Sequence, residues 1–203
     1  MSTPAVAKAL AALAAVLRAE RCPWYLFGAQ AVLCYGRPRL TSDVDATISP
    51  RDVPKLLKAL GRAGFRVAVP GFEQHLNETR VMPMLHGPTK VPVDLVLAGP
   101  GLEQQFLARA QRRRIGRISV PVISAADLVA VKVLAGRAKD LDDVAGILEA
   151  QGNDLDLGRI REVLADLEAA LEQHDLLPEL ERLLAAARVS RSGRAPGGRR
   201  SGG

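Results

Sequence analysis

Leu10, Leu13 and Leu17 recur at the three- and four-residue spacing of a helix with one face turned to a core, and predict a first helix around residues 9–17. The pattern then shortens. Residues 24–27 (WYLF) form a brief apolar run broken by Gly28, and residues 29–35 (AQAVLCY) read as a short helix. Gly36-Arg37-Pro38-Arg39 has the chemistry of a turn. Residues 42–48 (SDVDATI) predict a second strand, and residues 51–62 a helix with Pro54 in its first turn, where a missing N–H costs little. A strand at 65–69, a loop, and a hairpin of strands at 79–85 and 91–97 come next. Residues 118–123 are the last strand candidate, and Pro121 predicts an edge position for it.

From Ser124 the texture turns helical. Ser124 with Asp127 three positions on is a near capping box, and Leu128, Val131, Leu134 and Ala135 make the apolar stripe behind it. Helices are predicted at about 139–151, 157–174 and 177–188, punctuated by Gly152-Asn153 and Pro178. Residues 188–203 (RVSRSGRAPGGRRSGG) carry almost nothing to bury and predict a disordered Arg/Gly-rich tail. The expected organisation is an α/β (α+β) core at 1–123, a mixed sheet flanked by helices. A helical part at 124–187 packs on it, and the tail follows at 188–203.

Composition changes this picture in one respect. Hydrophobic residues make up 48% of the 203, enough for a real core, and aromatics only 3%. The formal charge of +6 suggests nucleic acid, yet five of the 28 basic residues lie in 188–203 with no acid, which leaves 23 against 22 acids. The folded part is near neutral, and the excess describes a tail. Cys22 and Cys34 fit neither a disulfide framework nor a zinc spacing. Reduced thiols point to the cytoplasm. The run at 9–17 resembles a secretory h-region, but Arg18, Glu20 and Arg21 follow where a small neutral cleavage segment belongs. No apolar run approaches the roughly 18–20 residues that span a membrane.

The chemistry concentrates between Leu26 and Asp45. Asp43 and Asp45 lie two apart on a predicted strand, so both carboxylates project from one face. Such a pair repels unless a positive group stands between them. A hard divalent ion, Mg²⁺ or Mn²⁺, held by one or two carboxylates and substrate phosphates meets that demand. Asp94, in the otherwise apolar VPVDLVL, is a third candidate ligand. Gly28 ends a strand and opens a helix, where backbone N–H groups bind anions.

Strand, Gly28-Ala29, a spacer of thirteen residues, Asp43-Val44-Asp45 and a later Asp94 resemble the nucleotidyltransferase superfamily with a DNA polymerase beta-like fold. Gly28, Ala31, Gly36, Arg39, Thr41, Asp43 and Asp45 resemble more narrowly the AbiEii-type and minimal bacterial nucleotidyltransferases. Lys132, in DLVAVK, and Asp140, in RAKDLDD, extend the likeness, which covers about residues 22–145. The resemblance implies an NTP-dependent enzyme in which Asp43, Asp45 and Asp94 are catalytic and hold the metal. It implies that Gly28, Ala29, Arg39, Thr41, Lys132 and Asp140 surround the nucleotide, with Lys132 on the triphosphate as an unpaired cation. It further implies a toxin of a toxin–antitoxin pair with an antitoxin protein as partner and RNA, tRNA in particular, as acceptor. Ala29 departs from the family's Gly or Ser, so only backbone donors remain there.

Two alternatives stand beside this reading: transfer to a small molecule of the antibiotic type, and a catalytically idle fold serving as a binding module. Lys132 also suits a side chain snorkelling from an apolar face, and Asp140 a helix start. Arg109, Arg112, Arg113, Arg114 and Arg117 suit either an RNA phosphate track or the charged protection of a sheet edge. His75, His86 and His174 are scattered and predict loop or surface positions. No P-loop, Gly-x-Ser-x-Gly or His-Glu-x-x-His motif occurs.

Overall fold

The computed structural model describes residues 4–37 and 40–192, the last three as backbone only. It divides into two compact units, Met1–Ser124 and Ala125–Gly203.

The first unit runs α1 (Pro4–Ala19), β1 (Trp24–Leu26), α2 (Gly28–Tyr35), β2 (Val44–Ile48), α3 (Val53–Arg62), β3 (Phe65–Val67), α4 (Phe72–Thr79), β4 (Val81–His86), β5 (Val91–Leu97), α5 (Leu102–Arg109), β6 (Gln111–Ile115) and β7 (Ile118–Val122). The strands form one mixed sheet in the order β3-β4-β5-β2-β1-β7-β6. Pairing is parallel between β2 and β5 and between β1 and β7, and antiparallel elsewhere. One sheet face is apolar and buried: Leu26, Ala46, Ile48, Val93, Leu95, Val120 and Val122. Leu10, Leu13 and Leu17 of α1 are fully buried too, as their helical spacing requires. The helix α3 starts where Asp52 accepts a hydrogen bond from the Lys55 amide at 2.8 Å, and it buries Leu56 and Leu60.

Five features differ from those expectations. The loop before β4 contains α4, which buries none of its residues and so shows no apolar stripe in the sequence. The helix α5 buries Phe106 alone. Strand β6 reads QRRRI without alternation and is held by its antiparallel ladder to β7. It is β6 that occupies the sheet edge, and β7 lies inside it. Pro121 is tolerated there because β7 meets β1 at the register Leu26↔Val122, beyond which the two strands part. His86 is buried on β4, its Nδ1 2.7 Å from the Thr89 hydroxyl, rather than on a loop or the surface.

The second unit comprises α6 (Ala125–Ala135), α7 (Ala138–Gln151), a 3-10 turn (Gly152–Asp154), α8 (Leu157–Leu171) and α9 (Leu176–Ser192). Asp156 caps α8 by accepting from the Arg159 amide at 2.9 Å. Ile147, Ile160, Val163, Leu164 and Leu180 are fully buried. Where a disordered tail is expected from Arg188, α9 continues to Ser192; residues 193–203 lie outside the described residues. No helix among the described residues is long and apolar enough to cross a membrane.

Candidate active site

The end of β1 and the start of α2 build the first wall. Gly28 adopts φ +62°, a left-handed conformation that side chains disfavour. A Cβ built on it would stand 2.8 Å from the Asp45 Cγ and would overlap Oδ2. Only glycine lets the turn close onto the carboxylate. The Phe27 amide donates to the Asp45 carbonyl at 3.0 Å, fixing turn and strand together. The N-cap residue Phe27 offers no side-chain cap, and the opening amides of α2, those of Gly28 and Ala29 included, stand at the positive end of a helix, where an anion is favoured.

The strands bring the acids together. Asp45 on β2 is the direct register partner of Asp94 on the parallel strand β5, so the two share one sheet face. Asp43 is placed by the sequence on the strand but precedes it, since β2 begins at Val44. Its position is set by two contacts. The Thr41 hydroxyl donates to Oδ1 at 2.6 Å, and the Gln30 side-chain Nε2 donates to the Asp43 backbone carbonyl at 3.3 Å. Asp94 is exposed, yet partial desolvation pushes its carboxyl above the ordinary range. The negative charge of Asp43 pushes the same way, and His75 offsets part of the rise.

Crowded carboxylates of like charge are a donor set suited to a hard cation. Among the described residues no group of three or more His, Cys, Asp or Glu is arranged to hold an ion. The described residues alone therefore form no closed cage. Asp43 and Asp45 still fit an ion completed by substrate phosphates, the usual manner for Mg²⁺.

Of the other expected residues, Thr41 is buried and its hydroxyl is committed to Asp43. Arg39 lies outside the described residues. Gln30 is no candidate in the sequence, and His75 reads there as a loop or surface residue. Gln30 looks like one polar interruption in an apolar helix, and its partner is 13 residues away. His75 belongs to α4, which the sequence conceals, and its link to Asp94 is made by folding.

Lys132 and Asp140 belong to the second unit and form a closed group there. The Lys132 ammonium lies 2.8 Å from Asp140 Oδ1 and 2.8 Å from Asp143 Oδ2. The three residues are only 5%, 3% and 6% exposed. Lys132 is thus no unpaired cation: two carboxylates neutralise it inside the helices. Burial would raise the Asp140 carboxyl, but hydrogen bonds and charge from Arg137 and Lys132 outweigh it and hold it below the ordinary range. Nearby, fully buried Asp127 pairs with Arg159 at 3.4 Å.

A family model described as nucleotidyl transferase AbiEii toxin, type IV toxin–antitoxin system, matches residues 9–192. Among solved structures, the antibiotic-resistance factor ANT(2'')-Ia is similar with TM-score 0.58 and 15% identity, over 81% of this chain and 94% of that one. An antigenic nucleotidyltransferase-like protein from Paracoccidioides brasiliensis is similar with TM-score 0.51 and 20% identity, over 88% and 91%. The lincosamide antibiotic adenylyltransferase LnuA gives TM-score 0.50 and 13% identity, over 69% and 94%. No curated protein matches. At these identities the structures share the fold. With the family match running from α1 to the end of α9, the chain belongs to the AbiEii nucleotidyltransferase family, described as toxins of type IV toxin–antitoxin systems.

Proposed function

We propose that this nucleotidyltransferase moves an NMP from an NTP to a hydroxyl of an RNA acceptor, tRNA in the family's manner, in the cytoplasm. In this reading it is the toxin of a pair whose antitoxin protein restrains it. The closure of Gly28 on Asp45, with Asp94 in register beside it, is the observation that carries the reading. The amides of Gly28 and Ala29 receive phosphate oxygens at the positive end of α2. Asp43 and Asp45 would hold a Mg²⁺ or Mn²⁺ ion, which when bound supplies charge to the triphosphate. Asp94, pushed up in pKa, takes the acceptor's proton. The acceptor oxygen forms a bond to the α-phosphorus, the α–β phosphoanhydride bond breaks, and pyrophosphate leaves with the electron pair. Thr41 and Gln30 orient Asp43. Lys132 and Asp140, paired with each other, hold the helical unit in shape. The exposed arginines of β6 favour RNA over a small acceptor.

The test is incubation with each labelled NTP, Mg²⁺ and either total RNA or a small-molecule extract. Label should enter RNA with wild type and stay out with Asp43→Asn, since a neutral amide is a poor ligand for a hard cation. Label in the small-molecule fraction alone would replace the acceptor, and no transfer from any NTP would overturn the reading.

A further inference from the structure

Two features of the first unit lie outside the carboxylate site and adjoin each other. The first is the edge strand β6. Arg112, Arg113 and Arg114 are exposed, and their hydrogen bonds go to Ser119, Gln111 and Gly116, with no carboxylate among these partners. Among the described residues no carboxylate pairs with them, and their side chains are anchored. Arg112 donates to the Ser119 carbonyl at 2.6 Å and to its hydroxyl at 3.3 Å, and Arg114 to the Gly116 carbonyl at 3.2 Å. A guanidinium already held in place loses little freedom on meeting an anion. Arg113 turns to the other face, over the Tyr35 ring at 5.1 Å.

The second feature is a pocket of about 320 Å³ where β1 and β7 part. Trp24 and Pro23 form one side, Pro121 and Ser119 the other, and Arg18 and Arg112 stand at it. An indole beside two guanidiniums suits a planar, anionic ligand and would repel a cation.

Register joins Arg112 and Arg114 to the acids, while Trp24, two residues from Leu26, belongs to the opposite face and meets Arg112 in the fork pocket. Leu26 pairs with Ala46 and with Val122, and Arg112 pairs with Pro121. Alternation therefore places Arg112 and Arg114 on the sheet face that carries Asp45 and Asp94. Two residues along a strand advance about 6.8 Å, a step comparable to that between successive phosphates of an extended single strand. On that face α5 covers β1, with Phe106 edge-on to Tyr25.

We propose that β6 and the fork pocket dock single-stranded RNA, phosphates on Arg112 and Arg114 and one unstacked base against Trp24. This deepens the RNA-acceptor reading and rests on it for the fate of the bound strand, though binding itself needs no NTP. An unpaired strand is required because a base must leave its stack to enter the pocket.

Trp24 is the chain's only tryptophan, so its fluorescence reports the pocket directly. The experiment titrates a short single-stranded RNA, the same RNA as a duplex, and inorganic polyphosphate into the full chain without NTP. Single-stranded RNA should quench Trp24. Polyphosphate should compete without quenching, and the duplex should bind weakly and leave the emission unchanged. Arg112→Ala with Arg114→Ala should weaken the RNA at least tenfold and lower the log–log salt slope by about 1.4. Arg114→Gln, which spares the Ser119 contacts, should give part of that loss. Trp24→Leu, read by anisotropy of labelled RNA, should weaken it roughly tenfold. Unchanged emission with bound RNA, equal affinity of the arginine variants, or equal quenching by polyphosphate would overturn the proposal. Quenching in a protein that transfers no label would sink the transferase reading and leave the docking site standing.

Discussion

The backbone of Gly28 closes on the carboxylate of Asp45 so tightly that a Cβ there would overlap it, and no side chain fits between turn and strand. The positive φ of Gly28 adds a second constraint on the same residue. Gly28→Ala should therefore cost about 1–3 kcal/mol of stability from backbone strain. Transfer should fall as well, roughly a hundredfold, because Asp45 must rotate away from its place. Urea unfolding with an NTP-transfer assay separates the two. A variant that transfers normally would show that the contact is incidental.

Lys132 tests a different kind of contact. With both carboxylates left in the helices, Lys132→Met should destabilise by about 3–5 kcal/mol, the usual penalty for a buried pair missing one partner. Replacing all three members, as K132M/D140L/D143L, should recover much of that loss. Chemical denaturation of the three proteins checks this. A stable Lys132→Met chain would mean the cluster contributes nothing to folding.

Acid should reach the same cluster. The Asp140 carboxyl is held below its ordinary value of 3.8 in the folded chain, so the unfolded chain binds a proton first as pH falls. Its stabilisation is complete above the ordinary value and is lost as pH drops through the folded one. The stability gap between wild type and Asp140→Asn should be widest near neutrality and shrink below about pH 4. Denaturation midpoints from pH 7 to pH 3 measure it, and a gap independent of pH would refute the assignment.

The thiols give a fourth check. Burial pushes Cys22 up to about 11, with a hydrogen bond from the Ser49 backbone opposing weakly. Burial also raises Cys34, against the charge of Arg113. At pH 8 little of either is thiolate, so a thiol reagent should react slowly with the native chain and fast once it is unfolded. Rapid native labelling at Cys22 would mean that the first unit opens readily.

Much of this protein is legible in the order of its residues. The leucine spacing in α1, the Gly28 break and the alternation in β5 are local signals, because each reports how one segment meets a core. The carboxylate motif is legible for the same reason: Asp45 and Asp94 mark acids on strands that otherwise favour apolar side chains. What the sequence conceals is set by partners distant along the chain. The helix α4 buries none of its residues, β6 depends on β7 for its ladder, and Lys132 meets Asp140 and Asp143 only when α6 and α7 pack. A lysine in an apolar helix reads alike whether it awaits a phosphate or already holds two carboxylates. Tertiary structure decides between them, because desolvating a charge is tolerated only where folding brings its counter-charges within reach.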